Sequence, residues 1–578
     1  MTERELAMDF TRSQPVQSLP EHVEWPRAPW ATPKVSRTLL VFLVTMLALL
    51  AWTQRWLQDD AYITFTYSRN LASGIGPVWN PGYIVEGYTN FLWMILLAGA
   101  QRIGLEPPIA SEVLSLICFV ISLCLVFRLG RLLFTQDAWA LLAVFLVGTN
   151  YSFLKYATGG LETQLNVTLT LAALGLVAQT GSDGKATAAR ALAVSILVGL
   201  AIMTRPDSVL LAAVALGFMG GQILMSGATT RRRLQLTGLV VLPLLLVLLP
   251  WLVWKYHFYG HLLPNTFLIK LGVHRPKTIL RGLAYVAWPF VSFGWLFLIA
   301  FILLRSRGRR ILMRNHAWYP LLSYTAIWLL YAIAIGGDIM EFRQLVCIFP
   351  IVILAMIGGL RATFASWRVT MGWSVVLLCA SVLHGEFFAI YERPRGIENI
   401  PELTDYAVWW CKLGETLRAD LGAGSTVKIA VSPAGAIPYC SGLQAIDVLG
   451  LNDLWVARNG YVRQTCDVCL GHLRMATIDY LESAGANLVF AHPQVLGGTA
   501  VPLDVFKSMF WGAPIGYERA PAAAQLLRIP VEPGRTALAV YLIPNRDIDG
   551  LLARGVWSGE PLWSDGAAKN VAMPVSEH

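Results

Sequence analysis

Residues Gln58–Trp93 read QDDAYITFTYSRNLASGIGPVWNPGYIVEGYTNFLW. Two adjacent carboxylates, Asp59 and Asp60, follow directly on an apolar run at 38–57. Gly, Pro and Asn then break the pattern, and a second apolar run begins at 89 and ends at Gln101 and Arg102. Acids beside a membrane-length segment are expensive in hydrocarbon and usually serve a function. The fold turns on which of the two flanking runs crosses the bilayer.

The composition says that a bilayer is involved. Of 578 residues, 56% are hydrophobic and 14% charged, against about 25% charged in a soluble domain. Several continuous apolar windows reach the length of about 18 residues needed to span. They do not alternate, so they are helices and not barrel strands. The net charge of +9 is no sign of nucleic acid, because the basic residues are clustered between apolar segments. Arg231–Arg233 and the group from Arg305 to Arg314 are such clusters, the positive-inside pattern of cytoplasmic loops.

Apolar segments lie near 38–57, 89–104, 109–134, 138–154, 161–180, 188–204, 207–226, 235–256, 283–304, 317–335, 343–360 and 369–390. The segment 89–104 is short and reads as juxtamembrane or re-entrant. With it excluded, Arg128/Arg131, Lys185/Arg190, Arg231–Arg233, Arg305–Arg314 and Arg361/Arg368 all fall on the side of the N-terminal tail. The expected architecture is a polytopic α-helical membrane protein with about eleven transmembrane helices. A disordered cytoplasmic tail is expected at 1–36 and the membrane domain at 37–392, with 58–108 as its first outer loop. An extracytoplasmic α/β domain is expected at 397–570, where "STVKIAV", "LQAIDVLG", "ANLVFAHP" and "ALAVYLIP" read as strands. No GxGxxG or P-loop indicates a nucleotide site. The expected location is the bacterial inner (plasma) membrane, N-terminus cytoplasmic and C-terminal domain periplasmic.

This topology gathers the polar loops on one face: 58–108, "YATGGLET", "TRPD", "YGHLLPNTFLIK" and "GGDIMEFR". Asp59, Asp60, Glu162, Asp207, Asp338 and Glu341 would meet there, with Lys155, Arg205, Lys270 and Arg343 among them. A carboxylate can take a proton from a hydroxyl, Arg and Lys can hold a phosphate, and aromatic rings can pack on a sugar. The combination suits sugar transfer from a lipid-phosphate donor. Asp59 and Asp60 are the candidate catalytic residues, and as neighbours on a helix they point about 100° apart. One would act as base, while the other orients it, binds a hydroxyl or caps the next helix. Candidate substrate- or phosphate-binding residues are Glu86, Tyr88, Asn90, Glu162, Arg205, Asp207, Asn265, Lys270, Asp338 and Arg343. The structural alternatives are a solvated acid at Glu86 and self-satisfied pairs at Arg205–Asp207 and Asp338–Arg343. His257 and His261 read as interfacial packing. Cys466 and Cys469 with His472 form a lone CxxC-type cluster short of a fourth zinc ligand. Disulfides fit the C-terminal cysteines better if that region is extracytoplasmic. The residues indicate no particular cofactor, and the acidic loops could support a divalent cation.

The long first motif resembles the first extracytoplasmic loop of GT-C-fold glycosyltransferases. Within that group it resembles the mycobacterial terminal β-(1→2)-arabinofuranosyltransferases and their bacterial relatives. The resemblance continues through "GGLET", "TRPD", "LLPNTFLIK", "GGDIMEFR", "AGAIPYCSGLQAIDVLGLND" and "GHLR". It implies a polyprenyl-phosphate-linked sugar donor, a glycan or glycolipid acceptor, inverting transfer, and a catalytic Asp at 59 or 60. It also associates the outer domain with carbohydrate binding. A lipid-linked sugar transporter or flippase would place its charges at the bilayer midplane in repeated halves, and no repeat is visible here. A non-catalytic envelope assembly protein would work through the outer domain alone.

Overall fold

The structure is a computed structural model. It describes residues 32–134, 136–270, 276–304, 315–363, 367–388, 396–422, 424–462, 473–490, 495–497 and 520–562. The expected tail at 1–31, the Arg305–Arg314 cluster and the Cys466/Cys469/His472 group lie outside the described residues.

Among the described residues, six helices are long and apolar enough to cross a membrane: Pro33–Thr53, Pro107–Phe134, Thr163–Asp183, Pro206–Met225, Thr230–Tyr259 and Trp367–Phe387. Shorter apolar helices run at Asp137–Gly148, Ala188–Thr204, Trp318–Ala334 and Phe349–Arg361. The chain is a multi-pass membrane protein. The expected span at 283–304 is broken, with helix Pro276–Ser292 ending and Trp295–Leu304 starting across Gly294 at φ +69°. The segment at issue forms helix Phe91–Arg102. Twelve residues rise only about 18 Å, short of a hydrocarbon core of about 30 Å.

Lipid inverts the usual burial pattern. Helix Thr230–Tyr259 exposes Leu234, Leu242, Leu246, Leu249 and Val253. Small polar groups are turned inward and joined: Ser122 and Thr168 hydroxyls lie 2.8 Å apart, and Ser195 Oγ donates to the Val240 carbonyl at 2.6 Å. Such pairs let backbones approach and satisfy each other where water is absent.

Beyond Glu398 the chain forms an α/β domain led by helix Ile400–Leu421, which Asn399 caps through the Glu402 N–H. Its strands are β1 Lys428–Val431, β2 Gln444–Asp447, β3 Leu488–Phe490, β4 Gln525–Glu532, β5 Arg535–Tyr541 and β6 Ser558–Pro561. They run in the order β2–β1–β3–β5–β4–β6. β1 is parallel to β2 and β3, and the remaining pairs are antiparallel. Of the strands expected from sequence, all four apolar runs appear. Cys411 and Cys440 form a disulfide joining helix Ile400–Leu421 to the short helix Ala436–Ser441.

That disulfide closes a loop of 29 residues, which on chain-entropy grounds stabilises by about 3 to 4 kcal/mol. Replacing both cysteines with serine is expected to lower the outer domain's unfolding midpoint measurably. An unchanged midpoint in calorimetry of the purified protein would show that the link carries no load.

Candidate active site

Helix Asp59–Ala72 opens the first loop. Its two leading acids face different elements, as a turn of about 100° per residue requires. Asp59 points to the α/β domain, the one expected from sequence to be the outer domain. Its Oδ1 accepts from the Ala436 N–H at 2.7 Å and its Oδ2 from the Gly435 N–H at 3.2 Å. Asp60 lies within electrostatic reach of Arg343. Both acids border a small cavity of about 70 Å³ that Ile339, Met340, Glu398 and Trp410 also line. A larger groove of about 460 Å³ lies along 125–179, toward the far end of helix Pro107–Phe134, and its lining includes five leucines with Arg128 and Arg131.

Behind Asp60 stands a chain of ion pairs from four loops. Arg205 is fully engaged: Nη1 donates to Glu162 at 2.9 Å, and Nε and Nη2 donate to Asp207 at 3.1 and 2.7 Å. Glu162 Oε2 accepts from Asn90 Nδ2 at 2.9 Å, and Asn90 Oδ1 accepts from Thr64 at 3.2 Å. Arg343 gives only its Nε to Asp338, at 3.1 Å, among the described residues. The turn that aims Arg343 is strained. Phe342 has φ +51°, the one non-glycine with positive φ among the described residues, a conformation costly for a bulky side chain. Glu341 beside it is fully buried, pairs with His384, and accepts from the Ile400 N–H at 3.0 Å. It is thus a strut between the membrane helices and the outer domain.

Several sequence candidates have structural partners. Glu86 is neither solvated nor beside an arginine; it forms a buried ion pair with Lys255 at 3.0 Å. Burial pushes its carboxyl up to about 7, and Lys255 pulls the other way. Tyr88 OH meets Tyr259 OH at 3.2 Å. Asn265 Nδ2 donates to the Gly450 carbonyl at 2.7 Å, and its N–H donates to Glu86 O at 2.9 Å. These three tie the first loop to its neighbours. His261 packs against Tyr259, ring centroids 6.4 Å apart. The Lys270 side chain lies outside the described residues. Among those residues, no group of three or more His, Cys, Asp or Glu is arranged to hold a metal ion.

Sequence reading missed Lys255 and Asp447. Lys255 is an isolated cation near the end of a 30-residue apolar helix, and such a charge needs a partner. Asp447 is fully buried at the end of β2. It accepts from the Leu449, Gly450 and Asn452 N–H groups at 2.8 to 3.1 Å. That loop in turn meets the first loop, since Tyr67 OH and Asn452 Oδ1 are 3.0 Å apart. Gly87 packs so closely there that a Cβ would fall 1.9 Å from Asn452 Oδ1.

Comparisons place this geometry. The structure overlays on ArnT from Cupriavidus metallidurans bound to undecaprenyl phosphate with a TM-score of 0.56 at 11% identity, covering 89% of this chain and 100% of that one. The apo form of ArnT gives 0.54 at 12%, covering 88% and 99%. The fold is therefore of the GT-C class. In sequence, the chain is 30% identical over 260 residues to the terminal β-(1→2)-arabinofuranosyltransferase of Mycobacterium tuberculosis, covering 40% of this chain and 38% of that protein. It is 25% identical over 358 residues to the protein of that name from Corynebacterium glutamicum, covering 55% and 50%. The matches thus span half or less of these relatives' lengths. Residues 398–541 match a family described as a domain of unknown function, DUF8728.

Burial also pushes the Asp447 carboxyl from 3.8 to about 7, outweighing the hydrogen bonds it accepts. Between those pH values the folded protein keeps a proton that the unfolded chain has lost. Stability therefore falls as pH rises from about 4 to about 7. The thermal midpoint is expected to decline between pH 5 and pH 8, and Asp447→Asn to decline less. Equal slopes would remove Asp447 from the effect. Lys255→Met strands Glu86 in its buried site and is expected to cost about 3 to 5 kcal/mol, read as loss of folded, monodisperse protein.

Proposed function

We propose that this protein is an integral membrane glycosyltransferase that moves a sugar from a polyprenyl-phosphate donor to a cell-envelope glycan or glycolipid. The observation that carries the reading is the juxtaposition of Asp59–Asp60 at a helix start with Arg343 from a separate loop, at the end of a GT-C helical bundle. The ArnT overlay, whose title names undecaprenyl phosphate, supports a lipid-phosphate donor. The two sequence relatives support a sugar transferase and make arabinofuranose the first sugar to test.

The chemistry follows from the side chains. An aspartate of the 59–60 pair takes the proton from an acceptor hydroxyl. The oxygen attacks the sugar's anomeric carbon from the face opposite the phosphate. The carbon–oxygen bond to phosphate breaks, the polyprenyl phosphate leaves with the electron pair, and the configuration inverts. Arg343 is the best-placed cation for the departing phosphate, because its terminal nitrogens are uncommitted among the described residues. Arg205 holds Glu162 and Asp207 instead and serves as scaffold. Glu162, Asn90 and Asp338 orient these cations. The donor's tail would lie in lipid beside the exposed leucines of helix Thr230–Tyr259. The site faces the extracytoplasmic side of the inner membrane, with the N-terminus in the cytoplasm. The Cys411–Cys440 disulfide supports that side, since such bonds persist in oxidising compartments.

Purified protein with a synthetic polyprenyl-phosphate arabinofuranose and a glycan acceptor should form product with inverted configuration. Arg343→Ala is expected to lower kcat/KM by about a hundredfold or more. Turnover of no lipid-phosphate sugar in a panel of donors would sink the reading. A periplasm-dependent reporter fused after Leu562 should be active; activity only of a cytoplasmic reporter there would reverse the orientation.

A further inference from the structure

The outer domain meets the first loop at several points, and at Asp59 it does so through backbone. Both oxygens of Asp59 are bonded to the N–H groups of Gly435 and Ala436. The fit leaves no space: a Cβ at Gly435 would fall 1.9 Å from the Asp59 carbonyl oxygen and 2.7 Å from Oδ2. Gly435 has φ −98°, which any residue adopts, so close approach is the reason for glycine here.

The short helix that follows, Ala436–Ser441, is held from every side. Arg69, on the same helix as Asp59, donates to the Tyr439 carbonyl at 3.0 Å and lies 4.5 Å over its ring. Tyr62 and Phe65 meet that ring edge-on at 5.4 and 6.0 Å. Cys440 is bonded to Cys411 of helix Ile400–Leu421. On that helix Gly414 packs so close that a Cβ would fall 2.7 Å from the Ile437 carbonyl, and Arg418 donates to the Tyr439 carbonyl at 3.3 Å. Three helices, two from the outer domain and one from the catalytic loop, form one welded unit.

We propose that the outer domain is a structural part of the catalytic site: its Gly435–Ala436 turn seats Asp59 as a positioning residue, and Asp60 is the catalytic base. The seat fixes the rotation of helix Asp59–Ala72 about its axis. One residue on, that rotation keeps Asp60 within electrostatic reach of Arg343, on the small cavity that both acids border. This gives residues 398–541 a role in transfer that needs no glycan binding by the domain itself. The proposal rests on the transferase reading for its kinetics and on the contacts alone for its structural arm.

The test uses the full-length protein in detergent. Amide exchange over 435–441 is expected to rise about tenfold in Asp59→Ala and in Gly435→Ala and to stay at the wild-type rate in Asp60→Asn. Unchanged exchange in both seat variants would overturn the seat, whether or not the protein transfers sugar. In kinetics, Asp60→Asn should lose about a thousandfold or more in kcat. Asp59→Asn, which keeps one acceptor oxygen, and Gly435→Ala should lose about ten- to a hundredfold, with donor KM within about twofold of wild type because neither touches the donor. Asp59→Asn as inactive as Asp60→Asn, beside a Gly435→Ala of normal kcat, would overturn the assignment by making Asp59 the base. If Gly435→Ala does not fold, Asp59→Ala and Asp59→Asn decide both arms. A wild type without transferase activity would defeat the functional reading, and the exchange measurement would still judge the seat.

Discussion

A charge at the edge of hydrocarbon must find an opposite charge or a hydrogen-bond donor, because lipid supplies neither. The site is built around this constraint. Glu162 and Asp207 share Arg205, Asp338 holds Arg343, Glu86 holds Lys255, and Glu341 takes His384 and the Ile400 N–H. The Arg205–Glu162, Lys255–Glu86 and Glu341–His384 pairings join segments far apart in the chain, so satisfying those charges also fixes the loops, while Arg205–Asp207 and Asp338–Arg343 close within one loop each. The polar network at the bundle's end is as much a folding device as a reactive one.

Against that background the two leading acids differ in their partners. Asp59 has its partners in peptide N–H groups of another domain, and Asp60 has its electrostatic partner in a guanidinium of the membrane domain. A single helical step separates the two environments. Adjacent identical residues can thus have different surroundings, one joining the two domains and the other within reach of an arginine of the membrane domain. The same logic applies on the other side of the loop, where Tyr67, Gly87 and Asn265 meet the 447–453 loop. The α/β domain holds the first loop at several places, from Asp59 and Arg69 to Asn80 and Tyr83.

Much of the architecture is legible in the residues. Apolar length gives the membrane helices, and the brevity of 89–104 sets it apart. The runs "KIAV", "QAID", "LVF" and "ALAV" give the sheet strands. The convergence of 59–60, 162, 205–207 and 338–343 followed from loop charge, because like-charged loops share a side of the membrane. Partner choice was less accessible. "TRPD" suggested its own Arg–Asp pair and that pair forms, since two residues are enough separation for a turn to close it. Nothing nearby in sequence links Glu86 to Lys255, or Asp59 to Gly435, which lie 169 and 376 residues apart.

What the amino-acid sequence determined by itself is the class of molecule and which loops carry the acids and bases that collect at one end of the helical bundle. Hydrophobic length and charge distribution are local properties, and transfer into lipid reads them locally. What only the tertiary structure decided is which charge neutralises which, that Cys411 meets Cys440, and that Asp59 is bonded to the α/β domain while Asp60 lies within electrostatic reach of Arg343. Those outcomes depend on how the helices pack and rotate against one another. Distances of a few ångströms between remote segments set them, and no local pattern encodes such distances.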